Sequence, residues 1–250
     1  MERQEPMDRR MLESMELVEE RHWWFRARRE ILVDKLLASV PTGPLRILDI
    51  GCGTGANLRA MSDVLPQAEI TGLDFDPICR EACERKGFSV LDGDIRALDF
   101  PDGRFDAVTA FDILEHIADE HAAIAELSRV LRPDGLLLLT VPAYDWLWSQ
   151  HDERAHHQRR YTERRLRLAL KAGGFTVPYS TYFNTFLLPV AVVIRMAERF
   201  TGKVTDGQAL LPGLVEEAFY RTFRLERLAT SCGVRLPLGL SILAVARNSG

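Results

Sequence analysis

The sequence predicts a doubly wound α/β fold, because short apolar strands and amphipathic helices alternate from residue 46 to about residue 182. The segment 136–141 is continuously apolar, as expected for a strand that helices cover on both faces of a parallel sheet. Turn and cap residues separate the elements: Pro77 begins one predicted helix, and Gly87 follows its last residue. Together these observations favour a sheet with helices on both sides.

The predicted elements follow in order along the chain. Residues 8–40 are predicted to be helical, with a break near 21–25, and the Pro-Thr-Gly-Pro run at 41–44 ends this part. Apolar runs bounded by turn residues predict strands at 46–50, 69–74, 88–91, 105–111, 136–141, 175–182 and 241–247. Helical periodicity and capping residues predict helices at 57–65, 77–86, 118–131, 162–172, 186–200 and 213–231.

These elements divide the chain into four predicted parts. They are an N-terminal helical cap (1–44), an α/β core (45–184), a helical insertion (185–236) and a final core strand (237–250). Of the 250 residues, 46% are hydrophobic and 27% are charged, which suits a globular protein with a full core.

Charge and composition exclude several functional classes. A net charge of −4 argues against general nucleic-acid binding, which usually requires a basic excess. The four cysteines form no disulfide or zinc pattern, so we expect reduced thiols. The N-terminus lacks an apolar signal core, and the longest apolar stretch is too short to span a bilayer. We therefore expect a cytoplasmic protein.

A glycine-rich loop follows the first strand and predicts a nucleoside site. Gly51, Gly53 and Gly55 allow the backbone to approach a ligand closely and to turn into a helix. The loop contains no Lys or Arg for a pyrophosphate, and Asp49 repels phosphate but attracts an ammonium group. Asp74, at the end of the next strand, suits a ribose hydroxyl pair. The pattern indicates a cationic nucleoside with an amino-acid tail.

Residues 48–55, LDIGCGTG, resemble the first motif of class I S-adenosylmethionine (SAM) methyltransferases. The DGDI run at 92–95, the FDILEH run at 111–116 and the LRPDGL run at 131–136 resemble later motifs of this family, in the same order. The resemblance implies a seven-stranded, mostly parallel sheet whose antiparallel last strand lies between the fifth and sixth. It also implies SAM as cofactor, bound by Asp49, Gly51, Gly53, Gly55, Asp74, Phe75, Asp94, Ile95 and Phe111.

The N-terminal run His-Trp-Trp-Phe at 22–25 resembles a segment found in a branch of bacterial methyltransferases. Helices before the first strand cover the cofactor in that family. We therefore predict that Trp24, or one of its neighbours Trp23 and Phe25, walls the methionine end of SAM. Arg26 is predicted to pair with its carboxylate. The alternative is that these aromatic residues pack between helices and the arginines are solvated.

The segment after the fifth strand is the predicted acceptor site. Tyr144, Trp146 and Trp148 form an aromatic wall, and Arg160 and Tyr161 follow as further substrate contacts. A neutral imidazole is a suitable base near pH 7, which makes candidates of His116, His151, His156 and His157. His151-Asp152 with His156-His157 offers an alternative as a metal site, but the spacing is not diagnostic and we predict no metal.

The sequence thus predicts a SAM-dependent methyltransferase that methylates an O or N atom of a small molecule, such as a natural product, quinone or glycolipid-like acceptor. The alternatives are an inactive SAM-binding adaptor or sensor and an RNA methyltransferase. The apolar segment 186–200, with flanking basic residues, predicts either a peripheral membrane or lipid contact, or a homodimer contact or lid.

Overall fold

The computed structural model describes residues 9–201 and 212–250, whose strands form one seven-stranded sheet. The strands are β1 (Arg46–Ile50), β2 (Glu69–Leu73), β3 (Ser89–Leu91), β4 (Phe105–Phe111), β5 (Leu131–Pro142), β6 (Phe175–Phe183) and β7 (Ser241–Asn248). Their order is β3-β2-β1-β4-β5-β7-β6, and β7 runs antiparallel to both of its neighbours. The predicted doubly wound sheet with an antiparallel last strand is confirmed.

Helices cover both faces of this sheet. They are α1 (Arg9–Arg21), α2 (Trp23–Leu37), α3 (Ala56–Val64), α4 (Pro77–Arg85), α5 (Glu120–Val130), α6 (Gln150–Arg154), α7 (Glu163–Ala172), α8 (Leu188–Thr201) and α9 (Gly213–Ser231). The predicted helix start at residue 8 and most of the predicted break between the last two helices lie outside the described residues.

Side-chain caps set the helix boundaries near the carboxyl edge of the sheet. His22 accepts a hydrogen bond from the Trp24 backbone N–H through Nδ1 (3.2 Å), which separates α1 from α2. Asp76 caps α4, which begins with proline, and Thr162 caps α7. The break predicted near 21–25 is therefore a helix start fixed by a histidine.

The predicted start of the fifth strand is wrong. The helix predicted over 118–131 ends at Val130, and the chain continues directly into β5 at Leu131 rather than at residue 136. The Arg-Pro-Asp-Gly run at 132–135 is typical of a turn that ends a helix, but Leu131 pairs with Phe105 of β4, and a register shift in the ladder absorbs the intervening residues.

The N-terminal helices pack over the same sheet face as the helical insertion. Ile31 and Leu36 of α2 lie in one buried cluster with Phe183 and Phe223. Arg227 of α9 reinforces this contact by pairing with two carboxylates of α2; its Nη1 lies 2.8 Å from Oε2 of Glu30, and its Nη2 lies 2.8 Å from Oδ1 of Asp34.

Helix α8 leaves much of its apolar surface exposed. Val193 is 67% exposed and Met196 is 51% exposed, whereas Arg195 reaches back to the Leu147 carbonyl and lies 3.7 Å from Asp152. Among the described residues, no helix combines the length and apolarity needed to cross a bilayer. The alternatives of lipid contact, dimer contact and lid for this segment stay predictions.

Candidate functional site

The glycine loop follows β1 and brings its backbone against the residues after β4. Gly51, Gly53 and Gly55 all have positive φ angles (66°, 55° and 88°), a region that side chains other than glycine rarely adopt. A Cβ built on Gly51 would lie 2.1 Å from Cδ1 of Ile113. The loop therefore needs glycine for both conformation and close packing.

Asp74, at the end of β2, is buried and fixed against this loop. Its Oδ2 accepts a hydrogen bond from the Gly53 N–H (2.8 Å), and its Oδ1 accepts one from the Asp76 N–H (2.9 Å). Burial raises the pKa of Asp74, and the two backbone N–H groups oppose this shift. The structure thus places the predicted acid beside the predicted loop.

Asp49 lies in the middle of the sheet with one carboxylate oxygen unused. Its Oδ1 accepts a hydrogen bond from Thr109 Oγ1 (2.6 Å), but no described residue bonds to the buried Oδ2. Burial raises the pKa of Asp49 to about 7; the charge on Asp74 adds to the shift, whereas Thr109 and the Arg28 charge oppose it. A positive group beside Oδ2 would favour the ionised form.

Arg28 of α2 is a site residue that the sequence analysis missed. Its Nη2 donates to Thr140 Oγ1 (2.8 Å) and pairs with Oδ2 of Asp112 (2.8 Å). Its guanidinium lies over the rings of Trp24 (4.8 Å) and Phe111 (5.6 Å). The buried Nε–H has no partner among the described residues.

Arg26, which was predicted to bind the methionine carboxylate, does not join this cluster. Its guanidinium lies 4.2 Å from the ring of Tyr220 on α9. The reason is helix periodicity, since residues four apart share a face and residues two apart do not. Trp24 and Arg28 are four apart, a signal in the sequence that identifies Arg28 as the arginine on the Trp24 face.

The predicted adenine contacts lie after β2 and β3. Phe75 is 56% exposed, whereas Ile95 is buried. Asp94 is bonded to Arg96, with the arginine Nε 3.0 Å from Oδ1 and 3.1 Å from Oδ2, and this bond lowers the pKa of Asp94. Asp94 keeps further acceptor capacity for a ligand amino group.

Helix α1 lies against the glycine loop, in keeping with the predicted N-terminal cap, through contacts that the sequence did not reveal. Buried Glu19 accepts a hydrogen bond from the Thr54 hydroxyl. Lys86 pairs with Oε1 of Glu16 (2.9 Å) and donates to the Thr54 carbonyl (2.7 Å). These contacts fasten the N-terminal cap to the loop.

Three of the four predicted histidines meet near the end of β4. The ring centroids of His116 and His157 are 4.7 Å apart, and those of His151 and His157 are 6.1 Å apart. Burial lowers the pKa of His116 to about 4, and the nearby His157 adds to this effect. His156 is exposed, in a turn where its φ is 55°, and is not part of this cluster of rings.

Glu115 lies beside these histidines with a fully buried side chain. No other described residue bonds to either of its carboxylate oxygens. Burial raises its pKa well above the usual range, with a further contribution from Asp112. Its backbone carbonyl accepts a hydrogen bond from the Gln158 N–H (2.7 Å). This bond connects the end of β4 to the segment after β5, which contains the predicted methyl-acceptor site.

Asp152, on α6 in the segment after β5, has a fully buried side chain with several hydrogen-bond partners. It accepts from Nδ1 of His157 (2.8 Å, in the tautomer that carries this proton) and from Arg160 through Nε (2.8 Å) and Nη2 (3.0 Å). The Tyr161 hydroxyl donates to Glu120 (2.6 Å). Arg160 and Tyr161, both predicted substrate contacts, are therefore buried and bonded to protein groups.

The predicted aromatic wall forms a stack at the edge of this segment. Tyr144 stacks on Trp146 (5.6 Å between centroids) and on Tyr182 of β6 (5.0 Å). Trp146 is 54% exposed, and the Trp148 N–H closes the short turn by donating to the Asp145 carbonyl (3.0 Å). Tyr182 was not predicted as part of this wall.

Comparisons with known proteins agree with this architecture. A family model described as "Methyltransferase domain" matches residues 21–179. The chain is 43% identical over 102 residues to a demethylmenaquinone methyltransferase of Thermus thermophilus, covering 38% of this chain and 46% of that protein. It is 30% identical over 133 residues to a ubiquinone biosynthesis O-methyltransferase of Xanthomonas oryzae, covering 47% and 55%. The chain thus matches about half the length of these curated relatives.

Solved structures show the same fold at low sequence identity. A SAM-dependent methyltransferase from Archaeoglobus fulgidus matches with a TM-score of 0.61 at 18% identity, over 94% of this chain and 99% of that one. A geranyl diphosphate methyltransferase in complex with GPP and sinefungin matches with a TM-score of 0.61 at 18% identity, over 89% and 77%. The chain belongs to the methyltransferase-domain family, with the Rossmann-like fold of SAM-dependent methyltransferases.

Proposed function

We propose that this protein transfers the methyl group of SAM to an oxygen or nitrogen atom of a small-molecule acceptor. Two polar atoms carry the proposal: Oδ2 of Asp49 and Nε of Arg28 are buried, and neither has a hydrogen-bond partner among residues 9–201 and 212–250. An acceptor and a donor complement the ammonium and the carboxylate of the methionine tail.

The nucleoside end of SAM is assigned to the residues after β2 and β3. Asp74 accepts from the ribose hydroxyls, since each of its oxygens has a lone pair beyond its backbone bond. Phe75 and Ile95 pack against the adenine, and Asp94 accepts from its amino group. Trp24 and Phe111, whose rings both lie near the Arg28 guanidinium, wall the methionine end.

SAM supplies an activated methyl group, so the protein mainly has to align the acceptor. Proximity and orientation lower such barriers by up to roughly 7–11 kcal/mol. Tyr144 and Trp146 form the acceptor wall, and exposed Trp146 is its solvent-facing side. Arg160 and Tyr161 position this segment through their buried bonds rather than contacting the acceptor. The relatives' names favour quinone-like acceptors.

Turnover of SAM to S-adenosylhomocysteine, measured with a panel of phenols, quinols, amines and lipid-linked acceptors, tests the proposal. We expect turnover that depends on at least one small acceptor. SAM binding without turnover on any acceptor would instead favour the adaptor function. Turnover only with RNA would favour an RNA methyltransferase, which the net charge of −4 disfavours.

Replacing Asp74 with asparagine should weaken SAM binding by about 1–3 kcal/mol, because charge-assisted bonds to the ribose are lost. Calorimetric titration measures this change. Asp63→Asn is the matched control, since Asp63 is an exposed acid on α3. Equal affinities for the wild type and Asp74→Asn would refute the ribose assignment.

A further inference from the structure

The end of β4 carries a second group of ligating side chains that the cofactor site does not use. Glu115, His116 and His157 each offer one ligand atom, and these atoms lie within 4.8 Å of one another. They converge from two segments, since Glu115 and His116 follow β4 whereas His157 follows α6. We propose that these three residues bind a divalent transition-metal ion of the Zn²⁺ class.

The buried Glu115 carboxyl group is the observation that points to a ligand. It is fully buried, and no other described residue bonds to either oxygen. A buried polar group without a partner costs free energy, so native structures rarely keep one without a compensating ligand or role. A cation between Glu115 and the two imidazoles supplies the missing partner.

The orientation of His157 supports the same assignment. Its Nδ1 is bonded to Asp152 (2.8 Å), which leaves Nε2 as the nitrogen for a ligand. Histidine ligands in metal sites usually donate their second ring N–H to a carboxylate in this way. Asp152 is itself held by Arg160 and by the Ser149 N–H (2.8 Å), so the ring is firmly oriented.

The donor set defines the class of ion. Two imidazoles with one carboxylate suit Zn²⁺ and neighbouring transition metals better than Mg²⁺ or Ca²⁺, which prefer oxygen ligands. With metal–ligand bonds of about 2.0–2.1 Å, the ligand atoms of a tetrahedral site lie about 3.3 Å apart. The ligand atoms here lie within 4.8 Å of one another, so each pair must approach by at most about 1.5 Å. His116 and His157 are half-buried, whereas Glu115 is fully buried.

A three-residue site leaves coordination positions open for the acceptor. The site adjoins Asp112, which pairs with Arg28 of the cofactor cluster, so an ion here orients and polarises an acceptor hydroxyl near the methyl group. In the transfer, the acceptor oxygen attacks the methyl carbon, the carbon–sulfur bond breaks to leave S-adenosylhomocysteine, and the hydroxyl proton leaves to water. This role rests on the proposed function, whereas the metal site itself does not. His116 and His157 are then ligands rather than the predicted bases.

Titration of the metal-free protein with Zn²⁺ alone, and with Co²⁺ followed by its visible d–d absorption, tests the site without SAM or acceptor. We expect one ion per chain and a rise in thermal unfolding temperature on binding. Glu115→Gln, His116→Ala and His157→Ala should each weaken binding by about 100-fold or more, and Asp152→Asn by about 10–100-fold. His121→Ala, an exposed histidine on α5, is the control and should bind as the wild type does.

Unchanged affinity in Glu115→Gln and His157→Ala, or no saturable binding by the folded wild type, would overturn the site. Glu115→Gln removes the charge of the side chain and keeps its shape. If substitution of the buried Glu115 prevents folding, His116→Ala, at a half-buried residue, provides a second test. SAM affinity is measured separately on the same samples. Loss of SAM binding with intact metal binding would therefore count against the proposed function alone.

Discussion

At pH 7.5, Asp49→Asn should weaken SAM binding by about 2–5 kcal/mol, because it removes one partner of a buried charge pair. The amide keeps the shape of the carboxyl group and can still accept from Thr109. The negative charge and the acceptor oxygen that face the ammonium are both lost, because the amide turns its NH2 donor toward that position. Calorimetric titration of both proteins at the same pH measures the effect, and Asp63→Asn again serves as the control. Equal affinities would remove Asp49 from the site.

The same residue should make SAM binding pH-dependent. With a pKa of about 7 in the free protein, Asp49 is partly protonated at neutral pH, and a bound ammonium favours its ionised form. Thr109, Asp74 and Arg28 are the groups that face it. SAM binding should therefore release a fraction of a proton at pH 7, and Asp49→Asn should abolish this fraction. Titrations in two buffers of different ionisation enthalpy measure the release.

Stability should change with pH in a defined direction. The folded protein retains a proton on Asp49 that the unfolded chain releases from about pH 4 upward. The free energy of unfolding of the wild type, relative to Asp49→Asn, should thus fall from about pH 4 to about pH 7 and level off above that. The fall is at most about 4 kcal/mol. A relative stability that rises over this range in denaturant titrations would contradict the assigned pKa.

Arg28→Met should lower both stability and SAM affinity. It leaves Asp112 without its ion pair and Thr140 without its donor. Breaking a fully buried pair costs about 3–5 kcal/mol of unfolding free energy; because the Asp112 side chain is 27% exposed, we expect about 2–3 kcal/mol. SAM binding should weaken further, since the free Nε donor disappears and the Asp49 carboxylate loses a stabilising charge.

Arg26→Met is the matched control for this prediction. Arg26 lies on the same helix and stacks on Tyr220, a contact worth about 0.5–1 kcal/mol at a partly exposed site. The Arg26→Met protein should bind SAM with the affinity of the wild type. Arg28→Lys keeps the positive charge but lacks the planar guanidinium. Its SAM affinity should lie between those of the wild type and Arg28→Met. A larger loss of SAM affinity in Arg26→Met than in Arg28→Met would restore the original sequence prediction.

Strands and caps were predictable because local patterns determine them. The bounds of β1 and β4 agree with the prediction, since each is an apolar run between turn residues. Pro77 and Thr162 mark helix starts in the sequence as they do in the structure. The start of β5 was missed because its first residues pair across a register shift, a tertiary feature that a Pro-Asp-Gly run conceals.

The candidate site was predictable where motifs follow strands and less so where distant segments meet. The positions of Asp49, Asp74 and the glycines follow from strand ends that share one edge of a parallel sheet. Arg28 was missed because the prediction took the arginine nearest the tryptophans rather than the one on the same helix face. The pairing of Asp152 with Arg160 depends on how a loop folds back, which no periodicity reveals.

A crystal structure of the complex with S-adenosylhomocysteine tests the central claim most directly. We predict the ligand amino group within hydrogen-bond distance of Oδ2 of Asp49, its carboxylate at Nε of Arg28 and its ribose at Asp74. A ligand bound in the reverse direction, or none at the glycine loop at saturating concentration, would contradict the account.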